Sequence, residues 1–242
     1  MSAPASRPGP VTTTARTPVL LSWSGGKDAA WTLHALRQRD DVDVVALLSS
    51  ITIEYARSSM QGVRREVLQA QADAAGLPLL EAGIPAACDN ARYEAATARA
   101  LAEAAARWPG LRTAAFGDLL LEDIRAWRQA QCARVGWDLM TPLFGRDTAQ
   151  LAREMIAGGL RARLCCVDTR QLDGSFAGHD FDATLLGDLP ADVDPCGENG
   201  EFHTCVSDGP MFTAPLAIER GDTVLRDGRF AYTDFLLAPG NP

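Results

Sequence analysis

The 242-residue sequence has no apolar run near the roughly 20 residues that a membrane-crossing helix needs. It has no block of Lys or Arg either: 23 basic residues stand against 31 acidic ones, for a formal net charge of -8 and a pI of about 4.9. An acidic chain repels phosphodiester backbones and anionic headgroups, so neither nucleic acid nor membrane is expected as a partner. The six cysteines, Cys88, Cys132, Cys165, Cys166, Cys196 and Cys205, include no C-x-x-C pair, which excludes a zinc or thioredoxin signature. Cys165 and Cys166 sit side by side in an apolar stretch, point to opposite faces, and read as inert core thiols. Residues 1–18 are rich in Ser, Thr, Ala and Pro and lack the apolar segment of a secretory signal. They are expected to form a disordered tail, and the protein to be cytoplasmic. Two common phosphate-binding patterns, G-x-x-x-x-G-K-[ST] and G-x-G-x-x-G, are also missing.

What the first half does contain is alternation. Residues 19–21 and 42–48 are apolar runs of the kind buried on both faces of a parallel sheet. Helical patterns occupy residues 61–75, ending at Gly76 with Pro78 beyond, and 91–108, closed by Pro109-Gly110. A further strand is expected over 113–116. Strands alternating with helices imply right-handed crossovers and a parallel sheet, whose ligands sit beyond the carboxyl ends of the strands. The Ser49-Ser50 corner and Gly117-Asp118 are expected there. Asp118 reads equally as the N-cap of a following helix or as a carboxylate for Mg2+ or a ribose. Residues 54–64 read as a loop in which Arg57 and Arg64 meet phosphates or solvent. Arg125 and Arg128 are one turn apart, positioned to pair with Glu122 and Asp123 or to face a nucleotide.

Between the first strand and the first helix lies Ser24-Gly25-Gly26-Lys27-Asp28. The glycines let consecutive N–H groups turn toward one point, the helix start adds its free donors and dipole, and Lys27 adds a full charge. This is a seat for a polyanion. The pattern resembles the pyrophosphate loop, S-G-G-x-D-S, of the ATP pyrophosphatases, which cleave ATP between its α and β phosphates.

After residue 136 the composition changes. Residues 137–143 read as an extended crossover, 147–157 as an amphipathic helix and 162–167 as a strand, with 185–193 short and acidic. A smaller α/β domain is expected here. It holds a second informative stretch, Gly197-Glu198-Asn199-Gly200-Glu201-Phe202-His203-Thr204, a turn running into a strand. Glu198, Glu201 and Thr204 are expected to face a cleft, with His203 on the opposite strand face; a surface turn with solvated carboxylates is the bland alternative.

Taken together and in order, the loop, Gly117-Asp118 and this second stretch resemble the diphthine–ammonia ligase family. The family's usual form of the second stretch is G-E-G-G-E-Y-E-T, so Asn199, Phe202 and His203 depart from it, as in a bacterial-looking branch. The resemblance implies a Rossmann-like, parallel-sheet ATP domain over 19–138 and a substrate-binding α/β domain over 139–242. It implies ATP with Mg2+ bound by Ser22, Ser24, Gly25, Gly26, Lys27, Asp28, Ser49, Ser50, Met60, Gly117, Asp118 and Arg125. The acceptor would lie against Glu198, Asn199, Glu201, His203 and Thr204, with Lys27, Asp118, Glu198 and Glu201 as the catalytic set and no metal ligands assigned. The implied partners are ammonia and a carboxylate on a small molecule or protein, and the implied products an amide, AMP and pyrophosphate. One departure bears on activity: the loop's usual last Ser is Ala29 here, which removes a hydroxyl worth about 0.5–1.5 kcal/mol. The alternative reading is an ATP-binding regulatory protein without turnover, on the sheet type of universal-stress-like domains. Sulfur transfer to RNA is disfavoured by the acidic charge and the absent cysteine pair. The sequence leaves a homodimer open, with Trp127, Trp137 and Phe212 as interface or core.

Overall fold

A computed structural model describes residues 15–239 of the chain. The architecture follows from the two faces of its first strand, β1 (Thr17–Ser22). Val19 and Leu21 point to one face and Leu20 to the other, and all three are buried in apolar clusters. Each such side chain contributes about 1.5–3 kcal/mol by leaving water, so both faces must be covered. Helices α1 (Lys27–Arg37) and α2 (Arg65–Ala74) cover the first face. The second is covered by α3 (Asn90–Arg107) and α4 (Glu122–Arg134). Ala96, Ala100 and Ala104 recur every fourth residue along α3 and bring it close to the sheet.

The sheet is built from β1, β2 (Val42–Thr52), β4 (Leu79–Ile84), β5 (Thr113–Ala115) and β6 (Asp138–Met140), all parallel. A two-residue β3 (Arg57–Ser58) adds antiparallel to Ile51 and Thr52, past the point where β1 stops pairing with β2. This is a Rossmann-like nucleotide-binding arrangement. A second, antiparallel sheet has the order β8-β7-β10-β9, from β7 (Arg161–Asp168), β8 (Phe202–Asp208), β9 (Ile218–Arg226) and β10 (Phe230–Leu237). Helices α5 (Thr148–Ala157) and α6 (Ala183–Asp188) accompany it. No helix among the described residues is long and apolar enough to cross a membrane.

Several boundaries differ from the sequence expectation. Thr17 and Pro18, read as tail, pair with Val42 and Asp43; residues 1–14 lie outside the described residues. Strand β2 runs on to Thr52, so Ser49 and Ser50 are not a corner: Ser49 is buried mid-strand and its hydroxyl donates to the Trp23 carbonyl. Helix α2 starts at Arg65 rather than 61, because Gly62 adopts a positive φ of 71° and residues 57–64 form a hairpin. Residues 185–193, read as a short acidic stretch, begin inside α6, which Asp182 caps through the Leu185 N–H. Strand β6 begins at Asp138 and pairs with β5, so Leu139 and Met140 lie in the first sheet. Trp137 is core, Trp127 packs on Tyr93, and Phe212 packs on Trp23.

The two sheets share one apolar cluster, and one ion network also ties them. Asp234 on β10 accepts from Arg57 and bidentately from Arg64. Burial opposes ionisation of this carboxyl, but the two guanidinium groups outweigh it and hold its pKa well below the ordinary 3.8. A depressed folded-state pKa adds stability above the unfolded value that is lost as pH falls below it. The Asp234→Asn variant is therefore expected to flatten the loss of stability below the ordinary value of 3.8, measured by urea unfolding at a series of acidic pH values. An unchanged slope would mean that other carboxylates govern acid unfolding.

Candidate active site

The loop between β1 and α1 is held open by its surroundings rather than by its own side chains. Gly25 has φ +83°, and a Cβ there would lie 2.7 Å from Leu68 Cδ2, so no other residue fits without strain. Gly26 caps α1 without a side chain, and the Lys27 N–H donates to Thr204 Oγ1 on β8 at 3.0 Å. The Gly25 carbonyl accepts from the Val206 N–H and from Gln71 Nε2. Gln71 is fully buried; its Oε1 accepts from the Trp23 indole and its Nε2 also donates to the Val206 carbonyl. Among the described residues, the Ser24 and Gly25 N–H groups donate to no protein acceptor. These free donors at a helix start form an anion cradle.

Lys27 behaves differently from its sequence expectation. Its side chain is 2 % exposed, and its ammonium turns inward to both Asp28 oxygens, at 3.0 and 2.8 Å, and to the Cys196 carbonyl. The rings of Phe181 and Phe202 lie 5.7 and 5.6 Å away. Burial alone would lower its pKa, but Asp28 and the other negative groups around it outweigh that and raise it, so Lys27 stays charged.

A cavity of about 650 Å3 opens beyond the strand ends. It gathers Ser22, Ser24, Gly26, Lys27, Asp28, Met60, Gly117 and Asp118 with Glu198, Asn199, His203 and Thr204. Gly117 fits there because a Cβ would lie 2.8 Å from the Asp28 carbonyl carbon. Asp118 is not an N-cap: α4 is capped at Leu121, and the Asp118 carboxylate faces Arg128 Nε at 2.7 Å. Those two buried atoms have no aligned hydrogen bond among the described residues. The Arg128 guanidinium also lies over the Phe116 ring at 4.2 Å. Arg125 stacks on Phe144 and does not line the cavity; Arg128 does. Ser50 lines a second, apolar cavity of about 350 Å3 between α3 and α4, which shares Ser22, Phe116 and Arg128 with the first.

The two glutamates of the second stretch have distinct surroundings. Glu198 Oε1 accepts from the Leu119 and Leu120 N–H groups, both at 3.0 Å, so it clips the β5–α4 segment to the second sheet. Burial raises its pKa, and those N–H donors partly offset the rise. Glu201 is buried and turned inward; it accepts from the Asp194 N–H and from the Asn199 N–H and side-chain amide. It shapes the turn. His203 lines the cavity with no hydrogen-bond partner among the described residues, and burial, with Lys27 nearby, pushes its pKa down to about 4. Its imidazole is neutral at ordinary pH.

Sequence reasoning missed Asp168, Gln171, Arg229 and Phe230, which close the far side of the cavity. Asp168 ends β7 and so had a positional signal. Arg229 follows an Asp227-Gly228 hairpin turn, but its link to Asp168 across 61 residues had none. The six cysteines are free, and burial pushes Cys166 to about 11 and Cys196 and Cys205 to about 12, too high for thiolate chemistry at neutral pH. No three His, Cys, Asp or Glu side chains gather as a metal site among the described residues.

A family model for the diphthamide synthase N-terminal domain matches residues 16–139, and one for its C-terminal domain matches residues 147–230. A diphthine–ammonia ligase of Schizosaccharomyces pombe is 26 % identical over 217 residues, covering 83 % of this chain and 36 % of the relative. A diphthine–ammonia ligase of Danio rerio is 32 % identical over 127 residues, 50 % of this chain and 49 % of the relative. The chain thus matches over a third to a half of the length of these curated relatives.

Proposed function

The chain belongs to the diphthamide synthase family, and from that premise we propose that it is an ATP-dependent amide ligase that adenylates an acceptor carboxylate and then aminates it with ammonia. The observation that carries this reading is the anion cradle at Ser24 and Gly25, of which Ser24 lines the same cavity as Lys27, Asp118 and Glu198. The first sheet and its helices hold the nucleotide, and the second sheet with its connecting loops holds the acceptor. The adenine occupies the apolar cavity between α3 and α4, and the triphosphate reaches the loop past Ser22 and Phe116. Mg2+ enters as the ATP complex, because this ion is held mainly by substrate phosphates and water, with one or two carboxylates at most.

An acceptor carboxylate oxygen bonds to the α-phosphorus as the bond to the pyrophosphate oxygen breaks. Pyrophosphate leaves against the Ser24 and Gly25 N–H groups and the dipole of α1. Lys27 exchanges its Asp28 and Cys196 contacts for a phosphate oxygen. Ammonia then bonds to the acyl carbon, AMP departs with the C–O electron pair, and the surplus proton passes to solvent. Positioning and charge neutralisation supply most of such catalysis. Glu198 holds the Gly117–Asp118 segment against the acceptor side.

Pyrophosphate release from ATP and Mg2+, with and without ammonium and a fractionated extract, tests this reading. Release that requires one extract fraction supports the ligase and isolates the acceptor. ATP binding with no release from any fraction supports the regulatory alternative, which the inward-turned Lys27 favours. The Ala29→Ser variant should bind ATP several-fold more tightly by titration calorimetry, since one restored hydrogen bond contributes about 0.5–1.5 kcal/mol. Unchanged affinity would place position 29 away from the phosphates.

A further inference from the structure

The corner of the cavity that sequence reasoning missed is built around one arginine. Asp168 is 1 % exposed and its carboxylate holds Arg229 side-on: Nε donates to Oδ1 at 2.9 Å and Nη2 to Oδ2 at 2.6 Å. The same carboxylate accepts from the Arg170 N–H at 3.2 Å and from Gln171 Nε2 at 3.1 Å, so it is fully engaged. The guanidinium carbon lies 4.8 Å from the centre of the Phe230 ring. Arg229 is thus fixed by a buried acid and an aromatic face, while its side chain stays 38 % exposed on the cavity wall. A guanidinium bound side-on still has its end-on edge, and Nη1 has no protein partner among the described residues.

The surroundings select the charge that this edge meets. Strand pairing sets Phe230 opposite Asp168, Tyr232 opposite Cys166, and Cys166 opposite His203. His203 therefore shares the sheet face of Asp168 and presents a neutral imidazole. Asp168 is neutralised by Arg229, Glu201 is turned into its own turn, and Glu198 is clipped to Leu119 and Leu120. The Asp28 and Asp118 carboxylates that also line the cavity are paired with Lys27 and Arg128, and a carboxylate arriving at Arg229 finds a rigid fork of donors.

We propose that Arg229 anchors a second carboxylate of the acceptor, which makes the acceptor a dicarboxylate that is amidated at one end and held at the other. The inference rests on the ligase reading of the cavity. Pairing with a guanidinium withdraws electron density from a carboxylate, so the anchored group is the one that does not attack phosphorus. Asp168 and Gln171 position the anchor.

The test is calorimetric titration of the full chain, saturated with AMP, with succinate, glutarate and acetate. One of the dicarboxylates is expected to bind at least about tenfold more tightly than acetate. Arg229→Lys keeps the charge beside Asp168 but lacks the end-on fork; it should weaken that binding by about tenfold or more and leave pyrophosphate affinity within about twofold. The double variant Asp168→Asn/Arg229→Gln, which buries no unpaired charge, guards against misfolding and should lose the dicarboxylate equally. No dicarboxylate binding, binding indifferent to Arg229→Lys, or a parallel loss of pyrophosphate would overturn the proposal. Pyrophosphate release from ATP without Arg229-dependent dicarboxylate binding removes the anchor and keeps the ligase. Arg229-dependent binding with no release from any extract fraction removes the ligase, and with it the anchor's role in amidation.

Discussion

Lys27→Met is expected to reduce pyrophosphate release by roughly 10²- to 10³-fold, the usual loss when one positioned donor to a developing anion is removed. The ammonium is the one full positive charge that the loop contributes, and no other cation lies within it. The same ammonium stabilises the resting fold, because it neutralises Asp28 and satisfies the Cys196 carbonyl. Breaking a buried pair by removing one partner costs about 3–5 kcal/mol, so Lys27→Met alone should also unfold at lower urea. The double variant Lys27→Met/Asp28→Asn separates the two effects. It should regain most of the stability and none of the release. A double variant that turns over at the parent rate would show that the loop donors suffice and that Lys27 is a packing residue.

The second large effect is expected at Gln71, which touches no ligand. Gln71→Leu preserves much of the volume but strands the Trp23 indole N–H and removes one donor from each of the Gly25 and Val206 carbonyls. An unsatisfied buried polar group costs about 1–3 kcal/mol. The Gly25 carbonyl keeps the Val206 N–H, so the stranded indole carries most of the cost and the loss should reach roughly 2–4 kcal/mol, a large share of the 5–15 kcal/mol that holds a typical domain together. Urea unfolding measures it. Pyrophosphate affinity should fall as well, because the Gly25 carbonyl sets the direction of the loop. A loss under about 1 kcal/mol would mean that water replaces the amide and that the network is incidental.

Local features were legible in the sequence. The strand, glycine turn and helix around Ser24-Gly25-Gly26 depend on neighbours along the chain, and the alternation that signals a parallel sheet does too. The amphipathic helix expected over 147–157 and the long Ala-rich helix followed the same logic. Illegible were the features decided by distant partners. Lys27 reads as a phosphate ligand by spacing, yet Asp28 and the Cys196 carbonyl turn it inward. Glu201 reads as a cleft-facing acid beside a turn, yet it is consumed by Asp194 and Asn199. Arg229 carries no pattern at all until β10 brings it against Asp168. Strand β2 outran its apolar run because β4 pairs with it through Thr52, and no local signal announces that.

The phosphate loop lies near the start of the chain, but its walls do not. Lys27 is bonded to Thr204, a sequence separation of 177 residues, and Gly25 to Val206. During synthesis the cradle therefore waits for the far strand. At about 5–20 residues per second, roughly 10–40 s pass between the emergence of the loop and of the residues that complete it. Until then Gly25 lacks its strand partner, and a nucleotide meets only half a seat. ATP in the cell is thus expected to engage the finished chain and not the growing one, which makes nucleotide occupancy a clock for the completion of folding.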